Sequence, residues 1–177
     1  MGGFTFPDAA PHDLPGRLLF VAPSQSAPSA DLSSANLRYN HPMNAPETIR
    51  HILTTGHTIA AVGYSDRDKT KATYYVPAYL KGQGYTVIPV NPRISEGLGR
   101  PACPSLADLP EPVDVVLIYA ARRRVGELVD QAIAAGAKAV WLSPGLIDEA
   151  AAERARAAGL LVVMDRCMMV EHKYLDL

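Results

Sequence analysis

Cysteine is scarce in this sequence, which contains only Cys103 and Cys167 among its 177 residues. Two cysteines so far apart form neither a disulfide framework nor the closely spaced ligand pairs of a structural zinc site. We therefore predict no bound metal. The cysteine usage is typical of proteins in the reducing cytoplasm.

Long apolar runs and an excess of positive charge are absent as well. No apolar run approaches the roughly 20 residues that cross a bilayer, and the short run at residues 18–22 is below the roughly 7–15 residues of a signal-peptide core. The 17 Lys and Arg residues are balanced by 18 Asp and Glu residues, whereas nucleic acids and membrane surfaces usually select a basic patch. The sequence thus predicts a cytoplasmic protein without a nucleic-acid or membrane partner.

Residues 1–42 are rich in Pro, Ala and Ser and show no periodicity beyond that short apolar run. A segment of this composition buries too little apolar surface to offset the entropy lost on ordering. We predict a flexible or extended leader over residues 1–42 and one folded domain over residues 43–177. Met43 is itself a natural beginning for the domain, so the leader is either a tail of the working protein or an upstream extension.

From residue 46 onward, helix and strand patterns alternate. Residues 46–55 show a helical apolar pattern that stops at Gly56. Strands are then predicted at 58–63, 85–92, 113–120, 138–145 and 160–166, and helices at 73–84, 125–136 and 148–159. Such alternation indicates a single α/β domain with a doubly wound sheet of five mainly parallel strands and flanking helices.

Two local features of this pattern need an explanation. Pro77 is awkward inside a helix, but if Thr73 is the helix cap, Pro77 falls in the first turn, where backbone N–H groups have no internal partner. The crossover after the second strand is rich in Gly and Pro. We predict an irregular crossover with one turn at residues 105–109.

Ligands of a doubly wound sheet bind at the carboxyl ends of its strands, near the point where the strand order reverses. The first strand ends in Gly63, but the G-x-G-x-x-G of a dinucleotide site does not follow. The loop offers Ser65, Lys69, Thr70 and Lys71 instead, just before a helix N-terminus, which is a combination suited to phosphate. Solvated loop lysines are the alternative, and we favour the phosphate interpretation.

The second strand end argues against NAD as the ligand. An NAD site places Asp or Glu roughly 20 residues beyond its glycine turn to accept a ribose hydroxyl. Asn91, Pro92 and Arg93 stand in that region. A cation there suits a nucleotide with a phosphate on its ribose, as in NADP or coenzyme A, and the alternative is an Asn-Pro turn followed by a surface charge.

This chain resembles the small stand-alone CoA-binding proteins in three stretches, "IAAVGYSDRDKTKATYYVPAYLKGQGYTVIPVNP", "PSLADLPEPVDVVLIY" and "AIAAGAKAVWLSPGLIDEAAAERARAAGLLVVMDRCMMVEH". The single domain of those proteins is similar to the N-terminal CoA-binding domain of the succinyl-CoA synthetase α subunit. The resemblance runs from about residue 46 to the C-terminus and implies a Rossmann-like sheet that binds coenzyme A. The ligand contacts that it implies are Gly63, Tyr64, Ser65, Lys71, Asn91, Pro92, Arg93, Ala120, Arg122, Ser143, Pro144 and Gly145.

The chain departs from this family at two strand ends. Many relatives carry two arginines directly after the aromatic residue of the third strand, where this chain has Ala120 and Ala121 before an arginine run at 122–124. Ser143 stands where relatives often have glutamine. The arginine run either supplies the missing cations or forms an exposed helix start. Because positive charge is unfavourable at a helix N-terminus, we favour a ligand role for Arg122.

No catalytic apparatus is predicted. None of the five histidines lies at a strand end, the chain lacks the second domain that a CoA ligase needs, and Ser143 is not in a G-x-S-x-G elbow. We therefore predict a binding protein for coenzyme A or a short acyl-CoA, with a protein partner or a second copy left open. The alternatives are an NADP-linked oxidoreductase that uses the same cleft and a degenerate nucleotide-binding scaffold that acts through protein contacts.

The fifth strand end reads Asp165-Arg166-Cys167. We interpret Asp165 and Arg166 as a structural ion pair at the edge of the sheet. Free cysteines usually behave as small buried apolar residues, so we expect Cys167 to be buried among neighbouring methionines. The less favoured interpretation is a thiolate stabilised by Arg166.

Deletion of residues 1–42 tests the predicted domain boundary. Because the leader contains little that can pack, we expect the melting temperature and the affinity for coenzyme A to stay unchanged, as measured by calorimetry. A fall of several degrees in the melting temperature would show that the apolar run at 18–22 packs on the domain.

Overall fold

The computed structural model describes residues 44–177. The predictions for the leader and for a beginning at Met43 lie outside these residues. Between residues 44 and 177, no helix combines the length and the apolar character needed to span a bilayer. Within the same range, no group of three or more His, Cys, Asp or Glu side chains is arranged so that it could hold a metal ion.

Helices and strands alternate along the chain as the sequence predicts. The helices are α1 (Pro46–Thr55), α2 (Ala72–Gly82), α3 (Val125–Ala134), α4 (Glu149–Ala157) and α5 (Met168–Tyr174). The strands are β1 (Thr58–Val62), β2 (Thr86–Val90), β3 (Glu96–Gly97), β4 (Arg100–Pro101), β5 (Val115–Ile118), β6 (Ala139–Leu142) and β7 (Leu161–Val163). Short 3-10 turns cover Leu106–Asp108 and Arg122–Arg124.

Five of these strands form one parallel sheet in the order β2-β1-β5-β6-β7. β1 pairs with β2 on one side and with β5 on the other. The chain therefore extends the sheet first in one direction and then in the other, and the strand order reverses between β1 and β5. The predicted α/β class, a doubly wound Rossmann-like sheet, is confirmed. β3 and β4 form a separate antiparallel pair.

Both faces of the parallel sheet are buried. Successive side chains of a strand point to opposite faces. In β1, Ile59 belongs to the core that α1, α2 and α5 cover, and Ala60 belongs to the core that α3 and α4 cover. This double burial explains why β1 and β5 read as nearly continuous apolar runs rather than as an alternating pattern.

Helix α2 begins at Ala72 with Lys71 as its N-cap, so the prediction that Thr73 caps it is wrong. Pro77 therefore lies beyond the first turn, in the helix interior. Pro77 has no N–H to donate to the carbonyl of Thr73, four residues earlier. That carbonyl instead accepts the backbone N–H of Ser65 at 3.3 Å. The proline thus leaves a helix acceptor available, and this acceptor anchors the loop between β1 and α2.

The predicted turn in the crossover is confirmed as the 3-10 turn Leu106–Asp108, where Ser105 Oγ accepts the N–H of Ala107 at 3.3 Å. Two elements were not predicted. Helix α5 has seven residues and no side-chain cap, and the β3–β4 pair has two residues in each strand. Elements this short carry too little periodicity for a sequence pattern to reveal them.

Asn44 connects the first described residues to the edge of the sheet. Its side-chain amide donates to the carbonyl of Met164 at 2.9 Å, and its Oδ1 accepts the N–H of Met164 at 2.9 Å. These two bonds imitate the pairing of one more strand residue just beyond the end of the edge strand β7. Asn44 is buried, so both of its polar groups are satisfied inside the protein.

His172 joins α5 to the body of the domain. Its ring packs edge-on against Tyr79 and Tyr85, and its Nδ1 lies 3.1 Å from the Tyr79 hydroxyl. Burial lowers the pKa of His172 below its ordinary value. The unfolded chain therefore binds a proton at a higher pH than the folded chain. Neutral His172 therefore stabilises the folded chain fully above about pH 6.5, the pKa of histidine in the unfolded chain. This stabilisation is lost as the pH falls through the lower pKa that His172 has in the folded chain.

We predict that the free energy of unfolding falls between about pH 7.5 and pH 5 and that His172→Phe reduces this slope, because the variant has no imidazole to protonate. Urea denaturation at several pH values measures the effect. His51→Asn is the matched control, since His51 is exposed on α1. Equal slopes for the wild type and His172→Phe would contradict the assignment.

Candidate functional site

A cavity of ≈ 540 Å³ opens at the carboxyl edge of the sheet, where the strand order reverses between β1 and β5. Its lining comes from three strand ends and from the segments that flank them, namely residues 62–63, 90–93, 104–106, 119–121 and 123–124, with Leu128 and Gln131. This is the region where a doubly wound sheet binds its ligands. The cavity is therefore the candidate site.

A second cavity of ≈ 690 Å³ lies between residues 105–112 and the end of α3. It shares Ser105, Leu106 and Gln131 with the first cavity. Among residues 44–177, the one charged residue of its lining is Glu111, whose carboxylate lies 3.1 Å from Arg100 Nη2. A carboxylate in the lining does not suit a phosphate, so the smaller cavity is the better candidate for an anionic ligand.

Gly63 forms the centre of the candidate site. Its φ is +83°, in the region that favours glycine. Its N–H donates to the carbonyl of Val90 at 2.8 Å, and the N–H of Tyr119 donates to the carbonyl of Val62 at 2.9 Å. A Cβ atom at position 63 would overlap the carbonyl oxygen of Tyr119. Glycine therefore lets the ends of β2 and β5 approach β1 at the mouth of the cavity.

Tyr64 and Asn91 connect the first two strand ends. The Asn91 side-chain amide donates to the carbonyl of Tyr64 at 2.7 Å, while Asn91 Oδ1 accepts the N–H of Arg93 at 2.9 Å. The Tyr64 ring is buried against Gly97, and burial raises the pKa of its phenol. Asn91 thus lines the cavity and also links the segments that follow β1 and β2, whereas the Tyr64 ring lies in the protein interior.

The loop between β1 and α2 is organised by Asp68. Its carboxylate accepts the Thr70 N–H at 2.9 Å and the Thr70 hydroxyl at 2.6 Å, and these hydrogen bonds lower the pKa of Asp68. Lys71 Nζ lies 3.9 Å from Asp68, with its side chain 70% exposed. Ser65 Oγ accepts the Arg67 N–H at 3.4 Å. Ser65 and Lys71 are not part of the cavity lining. Lys71 is the N-cap residue of α2, and no side chain caps this helix.

The described residues contribute three arginines to the cavity lining: Arg93, Arg123 and Arg124. Arg124 Nε lies 3.6 Å from Glu127. Arg122, which the sequence favoured as a ligand contact, is not part of the lining. The 3-10 turn explains the difference, because its three residues per turn point consecutive side chains in three directions. The sequence shows the arginine run, but it does not show which of its three residues line the cavity.

The predicted contacts at the fourth strand end lie outside the cavity lining. Ser143 is only 5% exposed. Gly145, with φ +82°, donates its N–H to Asp165 Oδ1 at 2.6 Å. Pro144 lies between them in this tight turn. Of the twelve predicted contacts, the cavity lining includes Gly63, Asn91, Pro92, Arg93 and Ala120.

The end of β7 differs from the sequence expectation. Arg166 Nη1 lies 3.4 Å from Glu171, and the Asp165 carboxylate accepts the Gly145 N–H. Cys167 is partly exposed rather than fully buried, because it ends the loop at the N-cap of α5 instead of lying in the core. Cys103 is the buried cysteine, and burial raises the pKa of its thiol.

The Tyr119 side chain is a further feature that the sequence did not single out. Tyr119 lines the cavity at the end of β5. Burial raises the pKa of its phenol strongly, and the neighbouring Cys167 raises it further, while a side-chain hydrogen bond with Ser143 lowers it by less. The phenol therefore stays protonated at neutral pH and acts as a hydrogen-bonding group.

Known proteins are similar to this chain over most of its described residues. The family model of the CoA binding domain matches residues 57–173. An uncharacterized protein of Bacillus subtilis, YneT, is 34% identical over 125 residues, which are 70% of this chain and 91% of that protein.

Two solved structures extend the comparison. A hypothetical protein from Pyrococcus horikoshii OT3 has 41% sequence identity and a TM-score of 0.68, over 73% of this chain and 91% of that one. The dinucleotide forming acetyl-coenzyme A synthetase 1 of Ca. Korarchaeum cryptofilum, in complex with phosphate and ADP, has 26% identity and a TM-score of 0.56. The match covers 62% of this chain and 26% of the synthetase.

Gly63→Ala tests the role of the glycine at the strand junction. We expect a loss of about 3 kcal/mol in the free energy of unfolding, since the left-handed φ costs about 1–2 kcal/mol and the overlap with Tyr119 adds about 1–3 kcal/mol. Gly159→Ala is the matched control because Gly159 has φ +88° and open space around its Cβ position. Gly159→Ala should lose only the about 1–2 kcal/mol that the left-handed φ costs a residue with a Cβ atom. Equal losses in urea denaturation would show that the Tyr119 contact is unimportant.

Proposed function

The chain belongs to the CoA-binding domain family, and on that premise we propose that it binds coenzyme A, or a short acyl-CoA, in the cavity between β1 and β5. Coenzyme A carries a diphosphate and a phosphate on its ribose, so its nucleotide half is strongly anionic. The proposal rests on how the charged side chains are arranged around the cavity.

The observation that carries the proposal is the composition of the cavity lining. Within residues 44–177, this lining contains three arginines and no Asp or Glu, although the whole sequence has slightly more acidic than basic residues. Charge-assisted hydrogen bonds from arginine to phosphate are among the strongest polar contacts in proteins. The N-terminus of α2, which no side chain caps, adds backbone donors suited to a diphosphate.

The remaining lining suits a nucleoside. Leu106 and Leu128 offer apolar contact for a base and a ribose. Ser105 and Gln131 also line the cavity, but the Ser105 hydroxyl donates to Asp108 and the Gln131 side-chain amide donates to Glu127. The cavity does not favour NAD, because none of the lining residues among 44–177 is an Asp or Glu that could accept the ribose hydroxyls of NAD. The comparisons do not support the alternative NADP-linked oxidoreductase.

We propose that this cavity binds its ligand without changing it. General acid-base catalysis needs a group whose pKa lies near the working pH. In the part of the chain that the structure describes, no His, Asp, Glu, Lys or Cys lines the cavity, and the raised pKa of Tyr119 makes it a poor proton donor or acceptor at neutral pH. A sensor, carrier or regulatory role in the cytoplasm follows from binding alone, with a protein partner or a second copy to receive the signal.

Calorimetric titration with coenzyme A and with dephospho-CoA tests the proposal. We expect coenzyme A to bind about tenfold or more tightly, because a charge-assisted contact to the ribose phosphate contributes about 1.5–3 kcal/mol. Arg93 is our candidate for this contact, so Arg93→Gln should remove most of the preference. Lys71→Gln should have a smaller effect, because Lys71 is largely exposed beside Asp68.

Arg156→Gln is the control for the change in net charge, since Arg156 is exposed on α4 and is not part of the cavity lining. It should leave both affinities unchanged. Equal binding of the two ligands by the wild type would contradict the role of Arg93. Failure of the wild type to bind either ligand would overturn the proposed function.

A further inference from the structure

Tyr64 follows Gly63 at the centre of the candidate site, yet it is not part of the cavity lining. Its side chain is only 1% exposed and belongs to the core that α1, α2 and α5 cover. The centroid of its ring lies 6.3 Å from that of the Tyr74 ring. A side chain buried in this way does not contact a ligand, so its role lies in what it holds in place.

The β3–β4 pair covers the Tyr64 ring. The turn between its strands, Leu98-Gly99, has φ values of +52° and +73°, as in the tight two-residue turns of hairpins. Gly97 lies so close to the ring that a Cβ atom at position 97 would overlap Cε1 of Tyr64. The backbone of Leu98 also forms a hydrogen bond with the Tyr64 hydroxyl. The ring is thus held between this hairpin and the core.

The hairpin is itself anchored at two places. At its turn, Lys81 Nζ from α2 donates to the carbonyl of Leu98 at 2.6 Å. Just beyond β4, the N–H of Cys103 donates to the carbonyl of Pro89 at 2.9 Å, and the N–H of Asn91 donates to the carbonyl of Cys103 at 2.9 Å. Movement of the hairpin would therefore break contacts to both α2 and the end of β2.

The backbone of Tyr64 leads into the loop between β1 and α2. Its carbonyl accepts the Asn91 side-chain amide at 2.7 Å, and its N–H donates to the carbonyl of Ala61 at 3.3 Å. The next residue, Ser65, donates its N–H to the carbonyl of Thr73 in the first turn of α2. A shift of the Tyr64 ring would therefore shift this loop relative to the N-terminus of α2.

We propose that Tyr64 is a positioning residue, whose ring, held by Gly97 and the hairpin, keeps the loop between β1 and α2 in its binding shape before a ligand arrives. This inference rests on the proposed function, in which backbone donors at the start of α2 meet a diphosphate. A loop that is already ordered does not have to be ordered on binding. Fixing the backbone of a single residue on binding weakens affinity about tenfold.

The inference also predicts which ligands are affected. Coenzyme A and dephospho-CoA share the diphosphate and differ in the ribose phosphate. Loss of order in the loop should therefore weaken both ligands by the same factor and leave the ratio of their affinities unchanged. Arg93→Gln should change this ratio instead, because Arg93 is the candidate contact of the ribose phosphate alone.

Calorimetric titration of the full chain with both ligands is the test. We expect Tyr64→Leu, which lacks the ring, to bind both at least about tenfold more weakly. Tyr64→Phe keeps the ring and should stay within about threefold of the wild type. Ile52→Ala is the matched control, because Ile52 on α1 is buried in the same core and is not part of the cavity lining. It should lose stability but keep its affinity.

Gly97→Ala adds a double-mutant cycle. Gly97 is not part of the cavity lining, so an added methyl group influences the ligand through the Tyr64 ring. We expect Gly97→Ala to weaken binding about tenfold in the wild type and at most about twofold in the Tyr64→Leu background, where the ring is absent. Each variant is titrated at a temperature at which circular dichroism shows that it is folded.

The outcomes separate this inference from the proposed function. Wild-type affinities in Tyr64→Leu would overturn the inference alone, as would additive effects of Gly97→Ala and Tyr64→Leu. Equal weakening by Ile52→Ala would also overturn it, because the effect would then follow from any loosening of the core. A loss confined to coenzyme A would do the same. Failure of the wild type to bind either ligand would overturn the proposed function and this inference with it.

Discussion

The close approach of two backbone segments at Gly63 is the constraint on which the candidate site depends. The central strand β1 ends there, with the Gly63 N–H bound to Val90 of β2 and the Val62 carbonyl bound to Tyr119 of β5. The Tyr119 carbonyl occupies the space that a Cβ atom would need. Because the neighbouring strands converge on a residue without a side chain, their following loops face each other across one cavity.

The missing glycine-rich loop is replaced by a different set of backbone contacts. Gly63 supplies a single left-handed residue, Asn91 holds the carbonyl of Tyr64, and Pro77 leaves the Thr73 carbonyl available to Ser65. A dinucleotide site uses its extra glycines to bring backbone close to phosphate. In this chain the loop is anchored by polar contacts, and the neighbouring cavity is lined by Arg93, Arg123 and Arg124.

Acidic and basic side chains are unevenly distributed around the cavity, although the chain as a whole is nearly neutral. The carboxylates of Asp68, Glu127 and Asp165 near the carboxyl edge contact Thr70, Arg124 and Gly145 respectively. None of the three lines the cavity. The arginines that do line it come from two distant parts of the sequence. The charges of the whole chain therefore nearly cancel, while the folded chain still brings Arg93, Arg123 and Arg124 to one cavity.

The sequence alone determined the fold class, because buried parallel strands and amphipathic helices alternate with different periods and chain order then restricts the topology. It also located the strand ends, and five of the predicted contacts line the cavity. It could not determine which arginines of the run 122–124 line the cavity, since one residue of rotation in a 3-10 turn decides this. It also could not show that Ser143 and Cys167 lie beside Tyr119, or that Cys167 is partly exposed, because these neighbours follow three strands that meet only when the sheet has formed.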